Sequence, residues 1–306
     1  MKTIKSRINK IKFNIADVII YFTIGLLGLV TIYPLILVIS MSLSDPTQLM
    51  AGKVFFLPVG FSLASYQKVI ENNYLWRSMA NSAFYTIIIT MLSSFNSICV
   101  GYALNRKGLL GRKYIVIFMI ITMFFSGGLI PTYIIMIRMG LYNNILAIII
   151  PAIVSVYNCI LCRSFIRTIP DGLKEAAYID GASDFTVLFK IIIPLSKPIL
   201  AVIALYTAVG VWNNWFSAMV YLPGLTDWHP LQLYLTRVLI WGNMQISAES
   251  VAGAGAEAQR MRLNNMAIGA QLKYTIIIIS ALPIILVYPF IQKYFVKGAL
   301  LGSLKE

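Results

Sequence analysis

Side chains able to do chemistry are scarce in this chain of 306 residues. The single histidine, His229, belongs to no H-E-x-x-H pair and is expected to be a solvated loop residue. Cys159 and Cys162 form a C-x-x-C, but redox use would require a thioredoxin-like context, so both thiols are expected to pack as small apolar groups. Three cysteines cannot build a disulfide framework. No G-x-x-x-x-G-K-S/T loop is present to cradle phosphates, so any uphill step must draw its energy from another protein. The expectation is of no catalytic residue, no metal site and no cofactor in this chain. What remains is a small and acidic stretch, Glu175-Ala176-Ala177 and then Asp180-Gly181-Ala182. Its chemistry is limited to charge pairing and close backbone approach.

The elements that must position these residues follow from composition. Hydrophobic residues make up 59% of the chain and charged residues 12%, and mean hydropathy is +0.80. A soluble domain carries about a quarter charged residues, so a soluble enzyme, a disordered chain and a nucleic-acid binder are all excluded. The formal charge of +14 does not mark a polyanion-binding face, because the basic residues sit between apolar runs. Six charge-free runs, 18–44, 78–104, 114–137, 139–162, 198–226 and 274–292, meet or approach the roughly 20 apolar residues that a helix needs to cross a bilayer core. Backbone amides in lipid must be satisfied within the segment, which makes these runs helices. They are continuously apolar rather than alternating, which rules out a β-barrel. The fold expected is therefore an all-α membrane protein with six transmembrane helices in one domain, 1–306. The basic stretch Lys2, Lys5, Arg7, Lys10 and Lys12 before the first run resembles a secretory leader. That run is too long for one, and no small-x-small cleavage site follows it, so it is expected to be retained.

Basic residues concentrate in the tail 1–17 and in segments 105–114, 162–197 and 293–306, which together hold 17 of the 25. By the positive-inside rule these face the cytoplasm, and both termini with them. Part of the charge meets anionic lipid head groups. The spans contain no Asp, Glu, Lys, Arg or His, which argues against a proton-driven carrier and against an intramembrane metalloprotease, although coupling to Na⁺ through carbonyls survives. Uncharged polar residues do occur there. Asn213 and Asn214 adjoin Trp212, Trp215 and Phe216, and Asn96 adjoins Ser93, Ser94 and Ser97. Two readings stand: hydrogen bonding between helices, or a polar, aromatic-lined path for a sugar.

The segment 168–190 reads as a compact helix–turn–helix. Pro170 and Asp171 suit a helix start. Gly181 suits a left-handed stop, Ser183 can cap a second helix, and Pro194 is expected to end it. Ala176, Ala177 and Gly181 form a small-residue face. Glu175-Ala176-Ala177, Gly181 and Ile191-x-Ile193-Pro194 match the pattern E-A-A-x3-G-x9-I-x-L-P throughout, with Ile193 where Leu is usual. The chain thereby resembles the permeases of ABC importers, which carry this EAA loop. The fuller form through Asp180, Gly181 and Ala182 is similar to their carbohydrate-uptake branch, and six spans resemble its smaller, maltose-type subunit. The closing run, Gln292 to Gly298 and Gly302 to Lys305, looks like oligosaccharide permeases of the lipoprotein or aldouronate type.

The resemblance implies a type I importer permease fold and half of a translocation pore in the bacterial cell membrane. Its partners would be a second, unlike permease, two ABC ATPases that bind ATP and Mg, and an extracellular solute-binding protein, with an oligosaccharide as substrate and no nucleic acid. The site that couples to the ATPase would comprise Glu175, Ala176, Ala177, Asp180, Gly181, Ala182 and Pro194, with Glu175 facing a basic group. The competing readings are an importer of peptides or phosphonates, and an ATP-independent carrier. The last external loop, 222–273, is long for a connection. Pro230 to Trp241 reads as a surface helix. The resemblance gives the flexible Gly253, Ala254, Gly255 and Ala256 the role of entering the binding protein to dislodge its ligand; a mobile linker is the plain alternative.

Overall fold

A computed structural model describes residues 15–240, 266–287 and 289. Helices run α1 Ile15–Leu43, α2 Pro46–Met50, α3 Ala64–Ile70, α4 Asn73–Ala103, α5 Arg112–Phe124, α6 Leu129–Arg138, α7 Leu146–Ile153, α8 Val156–Ile166, α9 Asp171–Ile179, α10 Asp184–Val187, α11 Ile193–Leu195, α12 Lys197–Trp212, α13 Phe216–Tyr221 and α14 Leu231–Ile240. A last helix, α15, covers Met266–Val287. Among the described residues the only β pairing is one antiparallel bridge between Ser44 and Phe61.

Four helical stretches are long and apolar enough to cross a membrane, Asp17–Leu43, Asn73–Ala103, Leu146–Ile166 and Met266–Val287, and the number rises to six if each of two bent pairs counts as one span. The expected count of six is reached with the two bent pairs, and the apolar runs are interrupted in three places. Run 114–137 is not straight: α5 and α6 meet at 113°. The break falls at Gly127-Gly128, where Gly128 has φ +85° and ψ 177°, a backbone conformation open to glycine alone. In run 139–162 the residues up to 145 form a connection, with Gly140 and Asn143 in left-handed conformations, and the helix starts at Leu146. Run 198–226 stops being helix at Trp212 and restarts at Phe216. None of these interruptions is visible in apolarity, because Gly and Asn carry no charge.

The described residues divide into two compact units, 15–67 with 266–278, and 68–240 with 279–287 and 289. In the first, Gln271 Nε2 donates to the carbonyls of Ser42 and Ser44, both at 2.8 Å, and the Ser65 and Thr275 hydroxyls bond at 2.7 Å. Fully buried polar groups thus tie α15 to the end of α1. In the second unit the 31-residue α4 is the central post, packed along α12, α8 and α7. One apolar core joins Ile98 and Tyr102 of α4 to Cys162 and Ile166 of α8 and to Val187, Leu188, Ile192 and Ile203. Another joins Tyr85 and Ile89 to Ile148, Ile149, Ala218, Leu222 and Leu233.

Candidate functional site

The stretch singled out by its spacing folds as a short exposed helix, a tight turn and a second helix. Pro170 stands at the N-cap of α9 with ψ 131°, one residue ahead of the expected first turn. Asp171 opens the helix and accepts a hydrogen bond from Lys174 Nζ at 3.1 Å. The α9 stop is a Schellman turn. Gly181 N donates to Tyr178 O at 3.1 Å and Ala182 N to Ala177 O at 2.9 Å, with Gly181 at φ +78°. Ser183 then caps α10, accepting from Thr186 N at 3.3 Å.

The chain passes without a break through a π-helical turn, Leu188–Ile192, in which Ile193 N donates to Leu188 O, into α11. Pro194 stands one residue before the end of the second helix, Asp184–Leu195. The sharp change comes two residues later, where Asp184–Leu195 and α12 meet at 77°.

The small-residue face is divided. Ala176 is exposed, whereas Ala177 and Ala182 are half-buried and pack on the core formed by Tyr102, Cys162 and Val187. Outward lie Leu173, Ile179 and Phe185, with Ile179 86% and Phe185 74% exposed. Glu175 is exposed and already has a partner in its own chain. Lys107, in the connection after α4, lies 3.4 Å from Glu175 Oε1 and 3.2 Å from Asp171 Oδ2. The bond that Lys107 donates to Asp171 is the main influence raising its ammonium above the ordinary value, and Lys174 and Lys107 lower the Asp171 carboxyl. All three groups are solvated, so these pairs orient more than they stabilise.

A second set of contacts is less exposed. Tyr178 donates to Asp184 Oδ1 at 2.8 Å, Asp184 Oδ2 pairs with Arg106, and the Tyr178 and Tyr102 hydroxyls lie 2.9 Å apart. Desolvation, then these bonds, raise the Tyr178 phenol. Spacing alone did not point to Tyr102, Arg106 or Lys107, since they belong to α4 and its exit, more than 60 positions before α9. A cavity of about 480 Å³ lies between that exit and α9, lined by Asn105, Arg106, Lys107, Leu109, Lys174 and Glu175 among others.

The residues of the possible solute path are not brought together. Trp212 is buried, and its Nε1 donates to Ser280 O at 3.2 Å. Asn213 and Asn214 are exposed at the break between α12 and α13. Asn213 donates to Val209 O at 3.0 Å, and Asn214 caps α13 by accepting from Ser217 N at 3.2 Å. Trp215 stacks edge-on with Phe216. Asn96 Nδ2 on α4 is buried without a hydrogen-bond partner. Cys159 and Cys162 are fully buried free thiols. Gly253 to Ala256 and Trp241 lie outside the described residues.

His229 corrects its sequence expectation. It is buried, not solvated. Nε2 lies 2.8 Å from Leu222 O and Nδ1 3.2 Å from the Tyr74 hydroxyl. Around it Asn81 donates to the carbonyls of Asp227 and His229, Tyr85 donates to Trp228 O, and Ser82 accepts from Leu231 N. The connection between α13 and α14 is thereby fastened to one face of α4.

Residues 76–300 match a family model described as the binding-protein-dependent transport system inner membrane component. The polygalacturonan/rhamnogalacturonan transport system permease protein YtcP of Bacillus subtilis is 35% identical, over 96% of this chain and 99% of that protein. Protein LplC of the same organism is 34% identical, over 95% of each. The arabinooligosaccharides transport system permease protein AraQ of Halalkalibacterium halodurans is 28% identical over 92% of this chain and 95% of its own. Among solved structures, a chain of a bacterial ABC transporter involved in the import of the acidic polysaccharide alginate superimposes with a TM-score of 0.82 at 33% identity, covering 92% of this chain and 99% of that one.

Proposed function

This chain belongs to the family of binding-protein-dependent transport system inner membrane components, and from that premise we propose that it is one permease half of an ATP-driven oligosaccharide importer. The observation that carries the proposal is the exposed α9 with its Gly181 turn at the E-A-A-x3-G spacing. A helix of nine residues that stands out of the apolar core, with Ala176, Leu173 and Ile179 uncovered and Phe185 of α10 exposed beside it, presents an apolar, small-featured surface to another protein. In this reading α9 docks on a cytoplasmic ATPase, both termini are cytoplasmic, and ATP and Mg bind to the ATPase pair. A second permease completes the pore, and an external binding protein delivers the solute. Gly253 to Ala256 contact that protein, and the exposed Asn213 and Asn214 at the break between α12 and α13 offer polar groups to the solute.

The carbohydrate substrate rests on the relatives, whose names mention polygalacturonan, arabinooligosaccharides and alginate. Uronic-acid oligosaccharides are accordingly the first substrates to try. The test is reconstitution of the four-subunit complex in liposomes with its binding protein. Loaded binding protein should stimulate ATP hydrolysis and oligosaccharide uptake together. Uptake by the purified chain with no ATPase present would overturn the reading. A binding protein that takes up peptides or phosphonates rather than sugars would overturn the substrate.

A further inference from the structure

The small side chains that seat α9 on its own bundle, Ala177 and Ala182, make smooth apolar contacts that resist sliding weakly. The polar contacts beside them do not have that freedom. Each phenol has one proton. Tyr178 gives its proton to Asp184 Oδ1, so the short contact between the two hydroxyls must be Tyr102 donating to Tyr178. Asp184 accepts on both oxygens, from Tyr178 on Oδ1 and from Arg106 on Oδ2. The result is a one-directional chain, Tyr102 to Tyr178 to Asp184, closed by the Arg106 guanidinium. Donors aligned head to tail on an ionised acceptor strengthen one another.

The chain joins three pieces of backbone. Tyr102 lies in the last turn of α4, and Arg106 three residues beyond that helix's end. Tyr178 lies in the last turn of α9, and Asp184 in the first turn of α10. The bonds therefore straddle the Gly181 turn and clamp both of its sides to the foot of α4. Asn105 secures that foot in turn, donating to Gly101 O at 2.9 Å and to Arg163 O at 2.8 Å at the end of α8. A push on α9 cannot be taken up in the turn without stretching this chain.

We propose that Tyr102, Tyr178, Asp184 and Arg106 form the rigid link through which displacement of α9 moves α4. They are positioning residues for coupling rather than part of the docking face. The inference rests on the proposed docking of α9 to an ATPase.

The test uses the whole reconstituted importer with its binding protein and the oligosaccharide that the wild-type complex takes up. Tyr178→Phe keeps the ring and removes the proton. Asp184→Asn removes the charge, and Asp184→Glu keeps it. Solute moved per ATP hydrolysed should fall by roughly tenfold in Tyr178→Phe and Asp184→Asn, the scale expected for one charge-assisted hydrogen bond. The ATPase should co-purify as before and its basal hydrolysis should be unchanged, and Asp184→Glu should recover most of the ratio. An unchanged ratio in Tyr178→Phe and Asp184→Asn would overturn the link. So would a loss of ATPase binding in the same variants, which would make these residues part of the dock. If the wild-type complex shows no ATP-driven uptake, the importer reading fails first, and the two failures are distinguishable.

Discussion

Gly101 of α4 and Cys162 of α8 meet so closely that a Cβ on Gly101 would lie 2.8 Å from the Cys162 Cβ and 2.9 Å from the Arg163 backbone nitrogen. The neighbour on one side is backbone, which cannot rotate away. Gly101→Ala should therefore spread the two helices and destabilise the permease by about 1–3 kcal/mol, the usual cost of overpacking a tight core, and Gly101→Val by more. Thermal unfolding of the detergent-solubilised protein measures this. A melting temperature within error of wild type for Gly101→Val would mean that α4 and α8 do not touch as described.

The same contact explains what the sequence made legible. The C-x-x-C reads as packing because Cys162 fills a niche that only glycine opposite could leave open, and both thiols are free and fully buried. Gly181 and Ser183 were readable because a left-handed stop and an N-cap are local devices, fixed by residues within five positions. His229 was not. Its burial comes from Tyr74, Asn81 and Tyr85 on α4, about 150 positions earlier, and nothing in residues 222–231 announces them. The π-helical turn at Leu188–Ile192 is likewise invisible in a string, whereas Pro194 does mark the helix end to within one residue.

The buried imidazole brings a pH dependence with a definite sign. Burial holds His229 below the ordinary histidine value, and the bond to Leu222 O only partly offsets it. The folded state therefore binds the proton less readily than the unfolded chain. The stabilisation is complete above the unfolded value of about 6.5 and is lost as pH falls through the lower folded value. Unfolding temperature should decline on acidification below about pH 6.5, and His229→Phe should flatten that part of the profile. An identical slope in His229→Phe would assign the acid sensitivity to other groups.

Gly181 separates conformation from crowding. A Cβ there would meet nothing within 4 Å, yet φ is +78°. Replacement therefore costs only the left-handed backbone, about 1–2 kcal/mol for an ordinary L residue, concentrated in the turn after α9. Gly181→Asn, which tolerates that conformation, should transport nearly as wild type, and Gly181→Val should lose most uptake while still inserting. Equal activity of the two variants would show that this turn's geometry does not matter to transport.

The two adjacent alanines of the motif should fail in different ways. Ala176 faces outward and touches no core, so Ala176→Trp adds bulk only to the surface proposed for docking. The permease should keep its melting temperature and lose its ATPase on affinity purification. Ala177 faces inward on the core around Tyr102 and Cys162. Ala177→Trp must push α9 off its seat, with an expected destabilisation of about 1–3 kcal/mol before any partner is involved. Two assays on each variant, unfolding temperature and ATPase recovery, then read the face of α9 directly. If Ala176→Trp destabilises the isolated permease as Ala177→Trp does, the motif turns its other side to the bundle, and the exposed face assigned to the ATPase is the wrong one.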